Sequence, residues 1–92
     1  MGKWARTTEG WAVNLDGSDA GAVFSLPRLE VRSSPQGWRL LCFLADGTRR
    51  ERAGGPLDSA AAAKAAAIGN AGRLLGPEHA AAVAALLGAP AT

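Results

Sequence analysis

The chain is poor in the side chains that most chemistry depends on. Its single cysteine, Cys42, cannot close an internal disulfide, and a reducing cytoplasm is the simplest compartment for it. Its single histidine, His79, has no second histidine or cysteine at metal-ligand spacing, so no metal site is expected. The serines fall mostly in turn and cap positions, far in sequence from His79, and no nucleophile–base–orienter set stands out. Gly54-Gly55 and the pair Gly69 and Gly72 lack the lysine and hydroxyl residue that complete a phosphate loop. The acids of residues 16–21 lack the spacing and distal glutamate of a calcium loop. No apolar run approaches the roughly 18 residues of a membrane span, and the N-terminus lacks a signal-peptide pattern. These absences disfavour an enzyme, a cofactor and a membrane location.

What is present suits one small domain, residues 1–92. Apolar residues make up 48% of the chain, which argues against wholesale disorder. Much of that share is alanine, so the three tryptophans carry a disproportionate part of the burial. The net charge is only +2, but six arginines lie between positions 28 and 52 against Glu30, Asp46 and Glu51. A local basic surface is therefore expected on a chain that is not polycationic. The alanine and arginine bias suits a GC-rich bacterial or phage genome.

The stretch 37–53 reads as an apolar strand, a tight turn and a basic strand. Asp46-Gly47 is a strong signal for a two-residue type I′ turn, which needs positive φ at both central residues. That turn pairs Leu44 with Arg49, Phe43 with Arg50, Cys42 with Glu51 and Leu41 with Arg52. Upstream, Ser34-Pro35-Gln36-Gly37 favours a turn that pairs Val31 with Leu40, Leu29 with Cys42 and Arg28 with Phe43. The registers then agree on two faces. Leu29, Val31, Trp38, Leu40, Cys42 and Leu44 lie on one. Arg28, Glu30, Arg32, Arg39, Leu41, Phe43, Arg50 and Arg52 lie on the other. Arg49 and Glu51 fall on the apolar face, which requires the basic strand to be an edge.

Residues 3–7 and 11–15 read as a first hairpin, with Trp4 and Trp11 plugging the end of a small core rather than forming a stacking platform. Residues 16–21 read as a loop and residues 22–26 as a further strand, bent at Pro27. After Gly54-Gly55-Pro56, Asp58 or Ser59 caps an alanine-rich helix over about 59–75, with Ala61, Ala65, Ile68, Ala71, Gly72 and Leu75 inward. Close packing is expected to compensate for Gly69 and Gly72. Gly76-Pro77 ends that helix and starts a second, over about 77–87, with Ala80, Val83, Leu86 and Leu87 inward. Residues 88–92 read as a frayed tail. The expected architecture is α+β: an antiparallel sheet of four to five strands over 3–53, followed by two C-terminal helices packed on one face.

The expected functional surface is the basic face, with Arg28, Arg32, Arg39, Arg50 and Arg52 around Leu41 and Phe43. Arginines can bond phosphates and guanine edges, and an aromatic ring can stack a base. The motifs Gly37-Trp38-Arg39 and Asp46-Gly47-Thr48-Arg49-Arg50, followed by a Ser/Asp-capped alanine-rich helix, resemble the three-stranded-sheet-plus-helix unit of phage integrase arm-binding domains. Plant ethylene-response-factor domains are similar. The resemblance covers about residues 28–75 and implies DNA binding through the sheet. The expected function is binding of DNA or RNA by Arg28, Arg32, Arg39, Phe43, Arg50 and Arg52. The alternative is a protein-interaction module of phage or mobile-element type, such as an inhibitor of a nucleoprotein complex in the manner of anti-CRISPR proteins. Arginine and exposed aromatics are enriched at protein interfaces too. The chain is expected to be a monomer or a homodimer.

Overall fold

The computed structural model describes residues 4–52 and 55–87. Lys3, Ala53 and the tail 88–92, on which parts of the expected sheet and helix boundaries fall, lie outside the described residues. Five strands, β1 (Ala5–Arg6), β2 (Gly10–Asn14), β3 (Arg28–Ser34), β4 (Gly37–Phe43) and β5 (Arg49–Glu51), precede two helices, α1 (Ala60–Leu74) and α2 (Pro77–Leu87). The strands form one antiparallel sheet in sequence order, β1-β2-β3-β4-β5. Both helices pack on one side of it.

Alternation along β3 and β4 sets the two faces. Val31 pairs with Leu40, Leu29 with Cys42 and Arg28 with Phe43, the register expected from the Pro35-Gln36 turn. Gly37 closes that turn with φ +136°, where a β-carbon would also collide with the Leu57 carbonyl. Val13, Leu29, Val31, Leu40 and Cys42 make the helix-side core with Ala63, Ala67, Leu75, Val83 and Leu87. Burial pushes the Cys42 thiol up to about 12, so it serves as a small apolar side chain.

Ser59 starts α1: its hydroxyl accepts from the Ala62 amide at 3.0 Å. Gly76, at φ +105°, separates the helices, and Pro77 opens the second. The inward stripe of α1 differs from expectation. Ala63 and Ala67 are buried, whereas Ala61 and Ala65 face solvent. The side chains at positions 71 and 72, also expected inward, lie outside the described set. Ala80 of α2 is exposed as well, with Val83 and Leu87 inward. A methyl group added at Gly69 would meet nothing within 4 Å, so close packing does not explain this glycine.

Trp4 and Trp11 pack against the helix-side core. The Lys64 ammonium stands 3.6 Å from the Trp11 ring centroid and 5.9 Å from that of Trp4. Its pKa is lowered by burial, and further by Arg6. The pair plugs the sheet end under a cation and is not an open stacking surface.

Two segments depart from the reading of the sequence. Residues 22–26 form no strand. Their backbone is satisfied locally and by side chains: the Ala22 and Val23 amides donate to the Asp19 carbonyl at 3.1 and 2.9 Å, and the Val23 carbonyl accepts from Asn14 and Arg28. The whole stretch 15–27 is one loop. The β4–β5 connection also differs. Asp46 has negative φ, and only Gly47, at +89°, is left-handed. The Gly47 amide donates to the Leu44 carbonyl at 2.9 Å and the Leu44 amide to the Thr48 carbonyl at 2.8 Å. The connection is thus a three-residue loop, Ala45-Asp46-Gly47, not a two-residue type I′ turn. The added residue slips the pairing by one: Phe43 faces Arg49, Cys42 faces Arg50 and Leu41 faces Glu51. Every side chain of β5 changes face.

Candidate partner-binding face

The sheet side away from the helices carries Ala12 and Asn14 from β2, Arg28, Glu30 and Arg32 from β3, Arg39, Leu41 and Phe43 from β4, and Arg49 and Glu51 from β5. Loop 15–27 folds over one half of it. Asn14 is its inner anchor, fully buried, donating to the Ser18 hydroxyl at 2.9 Å and the Val23 carbonyl at 3.1 Å. Arg28 is the second anchor. Its Nη1 donates to the side-chain Oδ1 of Asn14 at 2.8 Å and to the backbone carbonyls of Val23 and Ala20 at 3.2 and 3.3 Å. Its Nε donates to Glu30 at 2.7 Å, and Glu30 takes Arg32 on its other oxygen at 2.6 Å.

Asp16 fixes the outer turn of the loop. It accepts from the amide and hydroxyl of Ser18 and from the hydroxyl of Ser25. These bonds, the Ser18 hydroxyl first, hold its carboxyl down to about 2. Phe24 rides on top. The Arg28 guanidinium lies 4.7 Å from its ring centroid, and its ring meets Phe43 edge-on at 5.5 Å and 78°.

Arg28 is 5% exposed and locked under the loop, so it is removed from the accessible set. Arg32, Arg39 and Phe43 stand on the outer face, half-buried. Arg32 packs 5.7 Å over Phe43, and Arg39 forms a two-point bond with Glu51 at 2.8 and 2.6 Å. That bond raises the Arg39 pKa and lowers that of Glu51, so both stay charged. Arg50 and Arg52 are corrected to the helix side by the one-residue slip. Arg50 donates to the Leu74 carbonyl at 3.3 Å and Arg52 to the Gly55 carbonyl at 3.3 Å.

Three outer residues escaped the sequence reading. Arg49 takes the position expected of Arg50. Phe24, 60% exposed, is brought against Phe43 by the loop, and Val23, its neighbour in the loop, is 49% exposed. The cluster Asp16, Ser18, Ser25 was the available signal for them: short polar side chains that bond backbone favour a folded loop over a strand.

The accessible surface is thus an edge-to-face pair of phenylalanines and a valine, rimmed by Arg32, Arg39 and Arg49. Two of those three arginines already hold carboxylates. No protein family, curated protein or solved structure matches the chain. Among the described residues no helix is long and apolar enough to cross a membrane.

Proposed function

We propose that the protein is a small interaction module that binds a partner protein through the outer side of its sheet, where Phe24 of loop 15–27 meets Phe43. One observation carries this reading: Phe24 and Val23, in the loop on this side of the sheet, are 60% and 49% exposed, while Phe43 beside Phe24 is half-buried and Leu41 fully buried. An aromatic centre ringed by arginines is the composition of protein interfaces. The ion pairs Arg32–Glu30 and Arg39–Glu51 lower the positive field that a phosphate backbone would meet. In a phage or mobile-element setting, such a module suits an inhibitor of a nucleoprotein complex.

Nucleic-acid binding is the second reading. Arg49 lies opposite Phe43 with no carboxylate bonded to it among the described residues, which favours a stacked base beside a phosphate contact. The likeness of β3, β4, β5 and α1 to sheet-plus-helix DNA-binding units favours it too.

The deciding experiment uses the full chain immobilised and exposed to host lysate treated with nuclease, in parallel with the variant Phe24→Ala/Arg49→Ala. The protein reading predicts a captured protein that survives nuclease and about 0.5 M salt and is lost with the variant. Capture abolished by nuclease, with affinity falling steeply as salt rises, supports nucleic acid instead. Equal capture by variant and wild type overturns both.

A further inference from the structure

The edge of the sheet formed by β5 carries unused hydrogen-bonding groups. The Leu44 amide donates to the Thr48 carbonyl at 2.8 Å and the Arg52 amide to the Leu40 carbonyl at 3.0 Å. Antiparallel pairing alternates, so between these two bonds Cys42 and Arg50 form the hydrogen-bonded pair. The N–H and C=O groups of Arg49 and Glu51 therefore point away from β4. Among the described residues nothing meets them, and all three residues of β5 are exposed. An edge in this state is a template for another strand. The opposite edge, β1, has only two residues.

A concavity of about 400 Å³ adjoins this edge on the helix side. It lies between the β4–β5 turn and the α1–α2 junction, lined by Leu44, Asp46, Arg50, Leu75, Glu78 and His79 among others. Side chains alternate on an added strand as on any other, so the residue set against Arg50 stands at the mouth of this concavity.

Charge selects the occupant. Residues 48–52 carry Arg49, Arg50 and Arg52 against Glu51, whose two oxygens are held by Arg39. A second copy paired about a two-fold axis at Arg50 would set the two Arg50 side chains against each other. An acidic strand would meet Arg49 on the outer face and Arg50 and Arg52 on the helix side, where Asp46 and Glu78 also line the concavity.

We propose that β5 accepts an extended acidic segment of a partner protein as a sixth strand, bonded through the main chain of Arg49 and Glu51, with a carboxylate set against Arg50. Main-chain bonds supply affinity in this mode, and the alternate side chains supply selectivity. The proposal rests on the partner-protein reading above and names where and how that partner begins to engage.

The test titrates the isotope-labelled full chain with the peptide acetyl-Val-Glu-Val-Glu-Val-Glu-Val-amide and reads amide hydrogen exchange. Slowed exchange at Arg49 and Glu51 is expected, with little change at Arg50, whose amide already bonds β4. Arg50→Ala should weaken binding about tenfold, as for loss of a charge-assisted hydrogen bond, and Arg50→Lys should restore most of it. A peptide N-methylated at alternate amides should not bind. Absence of binding at millimolar peptide overturns the proposal, as does equal binding of the N-methylated form. Binding that perturbs Phe24, Phe43 and Arg32 with Arg49 and Glu51 still unprotected sinks the added strand and leaves the outer-face reading standing. Protection that grows with protein concentration without peptide identifies a second copy as the occupant and overturns the acidic segment. Protection at Arg49 and Glu51 with partner capture indifferent to Phe24→Ala keeps the added strand and removes the outer face.

Discussion

Arg28 and Arg39 each grip a glutamate, yet the two bonds differ greatly in consequence. Arg28 is buried with Glu30 and Asn14 and satisfies four acceptors, so its removal leaves one oxygen of the buried Glu30 carboxylate without its partner and frees the loop above it. Arg28→Ala should cost about 3–5 kcal/mol. Arg39 and Glu51 are more than a third exposed, and Arg39→Ala should leave stability almost unchanged. Urea unfolding of the two variants checks the contrast; equal losses would mean that Arg28 is not the anchor of loop 15–27. In the sequence the two arginines are indistinguishable. Both alternate with apolar neighbours on a strand, and only a loop arriving from another part of the chain separates a structural arginine from an accessible one.

Loop 15–27 and helix α1 show where local pattern ran out. The β3–β4 hairpin was fully legible because apolar and charged residues alternate on both strands and a proline turn fixes their offset. Along α1, residues 60–63 and 65–67 are all alanine, so nothing marks which side is greasier. The helix is phased by its tertiary neighbours, among them Trp11 under Lys64. A consequence is that Gly69 costs helix propensity without a packing return. Gly69→Ala should raise stability by about 0.5–1 kcal/mol, read as a higher urea midpoint at unchanged slope; a loss would reveal a neighbour of Gly69 absent from the fold. For the loop, the lowered carboxyl of Asp16 gives a pH signature. Its bonds to Ser18 and Ser25 stabilise the folded loop fully above the ordinary carboxyl range near 4. That contribution is lost as pH falls toward about 2. The Ser18 amide resonance should titrate with a midpoint near 2, and a midpoint near 4 would show the Asp16 bonds unformed.

The molecule measures about 32 × 30 × 27 Å, and its sheet has one side committed to helices and the other shared between a loop and solvent. Which arginines reach solvent on that second side depends on a single residue in the β4–β5 connection. Asp-Gly invites a two-residue turn, but Asp46 instead keeps negative φ and accepts the Thr48 amide at 2.8 Å, so Ala45 joins the loop. The sequence carries no signal strong enough to separate those two connections, since Asp46 bonds backbone and Gly47 turns left-handed in both. The outcome sends Arg49 and Glu51 outward and Arg50 and Arg52 toward the helices, and both the outer face and the open edge of β5 depend on it. Nuclear Overhauser spectroscopy of the full chain tests this directly, because facing residues of a non-hydrogen-bonded pair bring their α-protons together. Alpha-proton contacts between Phe43 and Arg49 and between Leu41 and Glu51 are expected; contacts joining Phe43 to Arg50 and Leu41 to Arg52 would show the two-residue turn instead.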